Sequence, residues 1–439
     1  MTPDRFLRPG SSVFPLQDDF PAMLRTVTQY LRSLEDPYGL VRTLRDPEVC
    51  RRPDGRPWYA VGNSAVVFKV RCAGRTRMLK CYTRPMPHLE ILYGRRLLRR
   101  ELFIYTDHER GEWADVVTGP WYEGPTLGDA VIRAAAAGDR ERLLFLAVAF
   151  DRLVLAMLRR DWAHGDLKPE NIIVTARGLR LVDFDASYLP ALAGEPSPEL
   201  GTAAYQHPAR TVRDYDRHLD DFPAALLSTA LHALALDPGL YGRTPLTDGL
   251  LFVPKEVVDG SSAVWRECLE LFSRAGDAVH RRIALLLRSP VLRLAGLEEL
   301  MDFAVRLAGT LPDGDRASDL TAAYAAAPPE LFVRDGWWGF RDGVRIVIPP
   351  VYDAGFDFTE GLAAVLTGRR WAFVDRRVGK RCAWRDSTPS SRSATDAPWP
   401  NATAAAMRSI GVDGSGNWIF RCKYLYLHLP NNVCPNSEN

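Results

Sequence analysis

The sequence predicts an α+β fold that ends in a small all-β repeat module. Three patterns indicate this. Short apolar runs joined by tight turns predict a strand–turn–strand over residues 60–69 and a hairpin over 172–182. A helical apolar period extends from 142 to 160. The motif W-x-F-x-D at Trp338 recurs at Trp371, a shift of 33 residues (371 − 338).

Composition limits the class of protein. A chain of 439 residues allows two to three domains with an ample core. The net charge of +2 gives no reason to expect a nucleic-acid or membrane partner. Seven cysteines without a C-x-x-C pair favour a reducing compartment, and the first ten residues lack the apolar run of a signal peptide. We therefore expect a cytoplasmic, soluble protein.

Four polar residues have the spacing that phosphoryl transfer requires. Asp166 suits proton acceptance from a hydroxyl, and Lys168, two residues on, suits contact with the moving phosphate. Asn171 and Asp183 offer an amide oxygen and a carboxylate, which are ligands that Mg²⁺ prefers. Because the hairpin between them returns the chain, we expect these two residues to come together.

These segments resemble the catalytic loop and metal-binding segment of the eukaryotic-type protein kinases. The resemblance implies a two-lobed fold over residues 57–310 that uses ATP and magnesium. A glycine-rich loop would include Ala60, Gly62 and Val67, although alanine replaces two of the usual glycines. Lys80, in a strand similar to V-A-I-K, would contact the nucleotide phosphates.

A helix predicted over residues 89–105 supplies the acidic partner of Lys80. Glu101 is the favoured partner because its distance along the chain from Lys80 fits better. Glu90 is the alternative. Residues 120–127 are expected to form a strand that runs into the connection between the lobes.

The sequence has further matches to the protein kinases and departures from them, and these bear on how activity would be regulated. Gly201 to Pro208 resembles the end of a protein-kinase activation segment, and Asp220 resembles the buried aspartate that holds the catalytic loop. Gly165 stands where these kinases usually have an arginine that binds an activating phosphate, so we expect no switching by phosphorylation. Asp185 stands in place of a glycine, at a position where strained backbone is expected.

The chain is predicted to divide into five parts. A helix is predicted over residues 21–34, within an N-terminal extension. The W-x-F-x-D repeat resembles the WG repeat, a short β module usually regarded as a binding element. After residue 381, six asparagines and three cysteines crowd together, which indicates a disordered or out-of-frame tail. The parts are 1–56 (extension), 57–310 (kinase-like), 311–330 (linker), 331–380 (WG-like) and 381–439 (tail).

The predicted function is ATP- and Mg²⁺-dependent phosphorylation of Ser/Thr hydroxyls of protein, with the β module recruiting a protein partner. Two alternatives stay open. The H-G-D and D-F-D sequences around Asp166 and Asp183 also resemble aminoglycoside phosphotransferases, which indicates a small-molecule kinase. The incomplete glycine-rich loop instead favours a pseudokinase that serves as a binding scaffold. The sequence gives no oligomeric state.

Overall fold

The structure is a computed structural model. It describes residues 24–106, 110–244, 248–309, 329–358 and 362–375, with the backbone of further strands at 381–383, 407–412, 418–422 and 425–429.

The chain is a mixed α+β protein with a curled half-barrel sheet and a C-terminal all-β region. It forms two compact units, residues 1–121 and 122–439. No helix in the described part of the chain combines the length and the apolar composition that a membrane crossing requires.

The first unit is built on a six-stranded antiparallel sheet, ordered β1-β3-β4-β6-β5 with β2 paired to β3. Its elements are α1 (Val27–Glu35), β1 (Glu48–Val49), β2 (Tyr59–Val61), β3 (Ala65–Cys72), β4 (Arg75–Tyr82), α2 (Leu89–Tyr93), β5 (Leu97–Tyr105) and β6 (Gly111–Pro120). The expected strand–turn–strand is therefore present as β2 and β3.

Helix α1 belongs to the core of this unit. Thr26 caps its first turn, since the Thr26 side chain accepts a hydrogen bond from the Gln29 amide and Gln29 bonds back. Tyr30 and Leu34 are almost fully buried against the sheet, and the Tyr30 hydroxyl donates to the Tyr82 carbonyl at 2.6 Å. The boundary predicted at residue 57 does not separate this helix from the sheet.

The predicted helix over residues 89–105 is wrong beyond Tyr93. A short 3₁₀ turn follows α2, and β5 then begins at Leu97. The strand pairing shifts register between Leu98 and Leu102, where Arg100 has φ +49°. This bulge disrupts the two-residue alternation of a strand, so the apolar residues imitate a helical period.

The second unit begins with a helical region. The predicted helix over 142–160 is α4, whose buried face packs against the apolar α5. The predicted strand over 120–127 is wrong, because β6 ends at Pro120 and Thr126 caps α3. The helices are α3 (Leu127–Ala136), α4 (Arg140–Leu158), α5 (Asp221–Leu236), α6 (Gly239–Arg243), α7 (Pro254–Asp259), α8 (Ala263–Ala275), α9 (Ala278–Leu286) and α10 (Leu297–Gly309).

The expected hairpin lies between α4 and α5. Strands β7 (Ile172–Thr175) and β8 (Gly178–Leu181) pair antiparallel. The Val182 amide also donates to the Asn171 carbonyl at 2.9 Å, so the pairing extends one residue beyond the strands. Asp183 therefore follows directly on the residue that lies beside Asn171.

The repeat occupies equivalent places in two small sheets. In each, the W-x-F-x-D strand lies between two antiparallel neighbours, and its phenylalanine, Phe340 or Phe373, is buried. The first sheet is β9 (Glu330–Arg334), β10 (Trp337–Asp342) and β11 (Arg345–Tyr352); the second is β12 (Ala354–Gly355), β13 (Leu362–Thr367), β14 (Arg370–Asp375) and β15 (Arg381–Ala383).

A glycine follows the tryptophan in the first copy for a steric reason. A Cβ atom at Gly339 would lie 2.6 Å from the Ile348 carbonyl oxygen and 2.9 Å from Pro349. Only glycine permits this close approach of β10 to β11.

The β module packs on the helices of the same unit. Phe340, Ile348 and Tyr352 belong to the same buried core as the helices. Arg281 of α9 pairs with Asp353 at 2.7 Å, and this carboxylate also accepts the Gly368 amide. The contacts show that the module is fixed to α9 rather than joined only through its linker.

Most of the predicted linker and most of the predicted tail lie outside the described residues. In the C-terminal region, the described backbone forms one more antiparallel sheet, made of β16 (Met407–Val412), β17 (Trp418–Cys422) and β18 (Leu425–Leu429).

Candidate functional site

The candidate site is built on the loop that joins α4 to β7. Asp220, directly before α5, holds its backbone: one carboxylate oxygen accepts the His164 amide at 2.5 Å, and the other accepts the Gly165 amide at 3.0 Å. Burial raises the pKa of Asp220, and His164, the two amides and Arg210 oppose that rise. The resemblance to a loop-holding aspartate agrees with this geometry, which a simple helix cap would not produce.

His164 fixes the same loop from its other side. Its Nε2 lies 2.9 Å from the Val182 carbonyl, which requires a hydrogen on Nε2. Its Nδ1 then accepts the Asp166 amide at 3.4 Å. The buried ring contacts Phe184 at 5.2 Å between centroids. The histidine thus links the loop to the segment that follows β8.

Three residues converge on the Asp166 carboxylate. Its Oδ1 accepts the Thr202 amide at 2.6 Å, and its Oδ2 lies 3.2 Å from the Lys168 ammonium and 3.1 Å from the Asn171 side-chain amide. Lys168 also donates to the Thr202 hydroxyl at 2.8 Å. Asp166 keeps 15% of its side chain exposed.

The same contacts orient Asn171. Its amide nitrogen donates to both the backbone carbonyl and the carboxylate of Asp166, at 2.9 and 3.1 Å. Because the nitrogen is committed to these acceptors, the amide oxygen points away from them. An oriented amide oxygen fits the oxygen-rich ligand set of Mg²⁺.

Asp183 is exposed and has a left-handed backbone with φ +65°. The strain predicted for Asp185 is therefore found two residues earlier, while Asp185 itself is buried. Strained backbone in a residue other than glycine is characteristic of functional positions, where the surrounding structure enforces it. A second oxygen ligand beside the hairpin again fits a magnesium ion.

In the first unit, the residues of the predicted glycine-rich loop lie on β2, β3 and the turn between them. Ala60 is exposed on β2, and Gly62 begins the turn with its amide bonded to the Ala65 carbonyl at 2.8 Å. Val67 on β3 is the register partner of Lys80 on β4. Lys80 is only 4% exposed, with its ammonium 5.6 Å from the Tyr82 ring centroid.

Glu101 has a different partner from the one predicted. Its buried carboxylate accepts the amides of Thr43 and Leu44 at 2.8 and 2.7 Å, the amide of Arg42 at 3.2 Å and the Thr43 hydroxyl at 2.6 Å. Four donors bind its two oxygens, so this carboxylate holds residues 42–44. The alternative, Glu90, is exposed and pairs with Arg99 at 2.8 Å.

We expect Glu101→Gln to lower the free energy of unfolding by about 1–3 kcal/mol, because a buried acceptor of backbone amides is replaced by a group that also donates. Nucleotide affinity of the folded protein should not change. Urea unfolding and nucleotide titration measure the two quantities. Glu90→Gln is the control, since its exposed ion pair contributes about 1 kcal/mol or less. Loss of nucleotide affinity at unchanged stability would instead restore the predicted clamp.

A second polar cluster is buried in the helical region. Asp151 of α4 accepts the Ser228 hydroxyl at 2.8 Å and lies 2.7 Å from His232 Nε2 and 3.3 Å from His280 Nε2. His280 Nδ1 lies 2.7 Å from Asp277. The two imidazole rings are stacked 3.5 Å apart at 21°.

These side chains have ligand atoms close enough to hold a metal ion, but both histidine Nε2 atoms already lie within hydrogen-bond distance of the same Asp151 oxygen. The contacts are better described as a hydrogen-bonded charge network. Burial disfavours a charged His280, but Asp277 and Asp151 outweigh it and raise its pKa to about 10. Burial likewise disfavours the Asp151 carboxylate, yet the two histidines hold its pKa well below the usual range.

Comparison with known families finds a match in the β module. The family described as a WG containing repeat matches residues 345–371, which extend from β11 to the start of β14. This confirms the predicted WG-like module. No curated protein is similar enough in sequence to match the chain.

Proposed function

We propose that this protein is an ATP- and Mg²⁺-dependent phosphotransferase of the protein-kinase type, acting on Ser/Thr hydroxyls of protein. The observation that carries the proposal is the hydrogen-bonded set of Asp166, Lys168, Asn171 and Thr202. It places a carboxylate acceptor, a cation and an oriented amide at the partly exposed surface of one loop. Phosphoryl transfer is catalysed mainly by positioning and charge neutralisation, which these groups supply.

The residues divide the chemistry between them. Asp166 would accept or orient the hydroxyl proton of the acceptor, since its carboxylate is held in place by the Thr202 amide. Lys168 would neutralise charge on the phosphoryl group during transfer. Lys80 would hold the nucleotide phosphates in the first unit.

Asn171 and Asp183 would hold magnesium, because both offer oxygen and the hairpin brings their segments together. The bound ion would neutralise phosphate charge. The amide nitrogen of Asn171 would keep its oxygen oriented through the two bonds to Asp166.

The β module would recruit a protein partner or substrate. It is fixed to α9 and shares the core of the helical region, so a bound partner would be held at a defined place on this unit. No nucleic-acid or membrane partner is proposed.

A transfer assay tests the function. The full chain, ATP and Mg²⁺ are incubated with a panel of proteins and a panel of hydroxylated small molecules, including aminoglycosides. We expect label from the γ-phosphate on serine or threonine of protein. Transfer only to small molecules would favour the small-molecule kinase, and transfer to neither would contradict a catalytic function.

A scaffold without catalysis is the second candidate. Two observations favour it. The Glu101 carboxylate accepts hydrogen bonds from residues 42–44. Ala60 and Ala65 replace glycines that would let the backbone approach phosphates closely. Such a protein would bind nucleotide without turnover. Nucleotide titration beside the transfer assay distinguishes it from an active enzyme.

A further inference from the structure

A buried arginine lies against the candidate catalytic loop. Arg210 is 8% exposed, and its Nη1 donates to the Gly165 carbonyl at 2.7 Å and to Gln206 Oε1 at 2.5 Å. Its Nη2 donates to the Glu199 carbonyl at 3.4 Å. One planar guanidinium therefore joins the residue before Asp166 to two points of the segment that contains Thr202.

The charge of Arg210 suits this place. An arginine stays protonated in proteins. Burial lowers its pKa, while the carboxylates of Asp220, Asp166 and Asp214 oppose the change. Asp220 and Asp166 are both parts of the candidate site, so the guanidinium balances the negative charge gathered around the loop.

Close backbone packing leaves no room for an arginine at position 165. Gly165 has φ +79°, and a Cβ atom there would lie 2.1 Å from the Ala186 carbonyl oxygen. Gly201 has φ +70°, and its Cβ would lie 2.7 Å from the Gly165 carbonyl oxygen. Residue 165 therefore cannot carry a cation itself, and the arginine that bonds its carbonyl, Arg210, comes from another segment.

Two serines of the segment between Asp183 and Pro208 already bond within the fold. Ser187 is buried and donates to the His164 carbonyl at 3.1 Å, and Ser197 is buried and donates to the Glu199 carbonyl at 2.7 Å. Because Arg210 is buried too, a phosphate on an exposed hydroxyl would not reach it.

We propose that Arg210 is a positioning residue that locks the 199–206 segment to the candidate catalytic loop without any phosphate. This inference rests on the proposed phosphotransfer function and adds its regulation: the site is held in its working arrangement by contacts within the fold. Arg210 holds the Gly165 carbonyl, and the Thr202 amide holds Asp166.

The test compares Arg210→Met, Arg210→Lys and the control Arg213→Met, whose parent side chain is exposed. In Arg210→Met we expect kcat to fall by about 10²-fold, as for a misplaced catalytic group, with the KM for ATP unchanged. Arg210→Lys keeps the positive charge but loses the planar guanidinium that bonds several acceptors at once, so its kcat should lie between those of the parent and Arg210→Met. Arg213→Met and phosphatase-treated parent should match untreated parent.

Hydrogen exchange gives a second readout that needs no activity. The Gly165 and Thr202 amides, bonded to Asp220 and Asp166, should exchange faster in folded Arg210→Met and Arg210→Lys than in the parent. Unchanged exchange and kcat in both variants, or a large loss of rate on dephosphorylation of the parent, would overturn the inference. Faster exchange in the two variants, together with a parent that transfers no phosphate, would keep the positioning role and reject the proposed function.

Discussion

Replacement of Asp166 by asparagine is expected to lower the rate of phosphoryl transfer by about 10²-fold to 10⁴-fold. The change removes the proton acceptor and turns one oxygen into a donor that faces the donors of Lys168 and Asn171. Nucleotide affinity should stay near that of the parent, because Asn171 and Asp183 are retained. Initial rates of γ-phosphate transfer and a nucleotide titration measure the two effects.

Asp161→Asn is the matched control, since this aspartate precedes the same loop and 83% of its side chain is exposed. It should leave the rate unchanged. Equal turnover in Asp166→Asn and the parent would show that Asp166 is not the catalytic base.

Replacement of Asp151 by leucine is expected to lower the free energy of unfolding by about 3–5 kcal/mol. It leaves a buried His280 imidazolium without one of its two carboxylate partners, and it leaves Ser228 and His232 without their acceptor. Urea unfolding followed by circular dichroism measures the loss. Asp302→Leu is the control, because its ion pairs with Arg159 and Arg306 are at the surface and each contributes about 1 kcal/mol or less.

The same cluster predicts how stability depends on pH. The pKa of His280 is raised to about 10 in the folded protein. Its stabilising contribution is therefore complete below the unfolded pKa of about 6.5 and is lost as pH rises through about 10. The pKa of Asp151 is lowered, so its contribution is lost as pH falls below about 4. The urea midpoint of the parent, measured between about pH 6 and about pH 10, should decrease as the pH rises through the unfolded and folded pKa values of His280. The midpoint of Asp151→Leu should decrease less. An equal fall in both would show that Asp151 does not raise the pKa of His280.

Local sequence patterns determined much of the secondary structure of this protein. The hairpin of β7 and β8, helix α4 and the W-x-F-x-D strands could be predicted because their periods are visible within a few neighbouring residues. The spacing of Asp166, Lys168 and Asn171 also lies within one short loop, and the structure brings these three together. Their catalytic roles remain a proposal.

Contacts between distant segments decided the partners of the buried charged residues. Glu101 belongs to a bulged strand whose alternation is interrupted, and its acceptor role depends on residues 42–44, almost sixty positions earlier. Arg210 carries no local signal that separates it from the other arginines, yet its guanidinium reaches Gly165, 45 residues away. Local secondary structure follows from the periodic spacing of apolar residues, which the sequence displays directly. The partner of a buried charge depends on which segments the core brings together, and only the tertiary structure determines that.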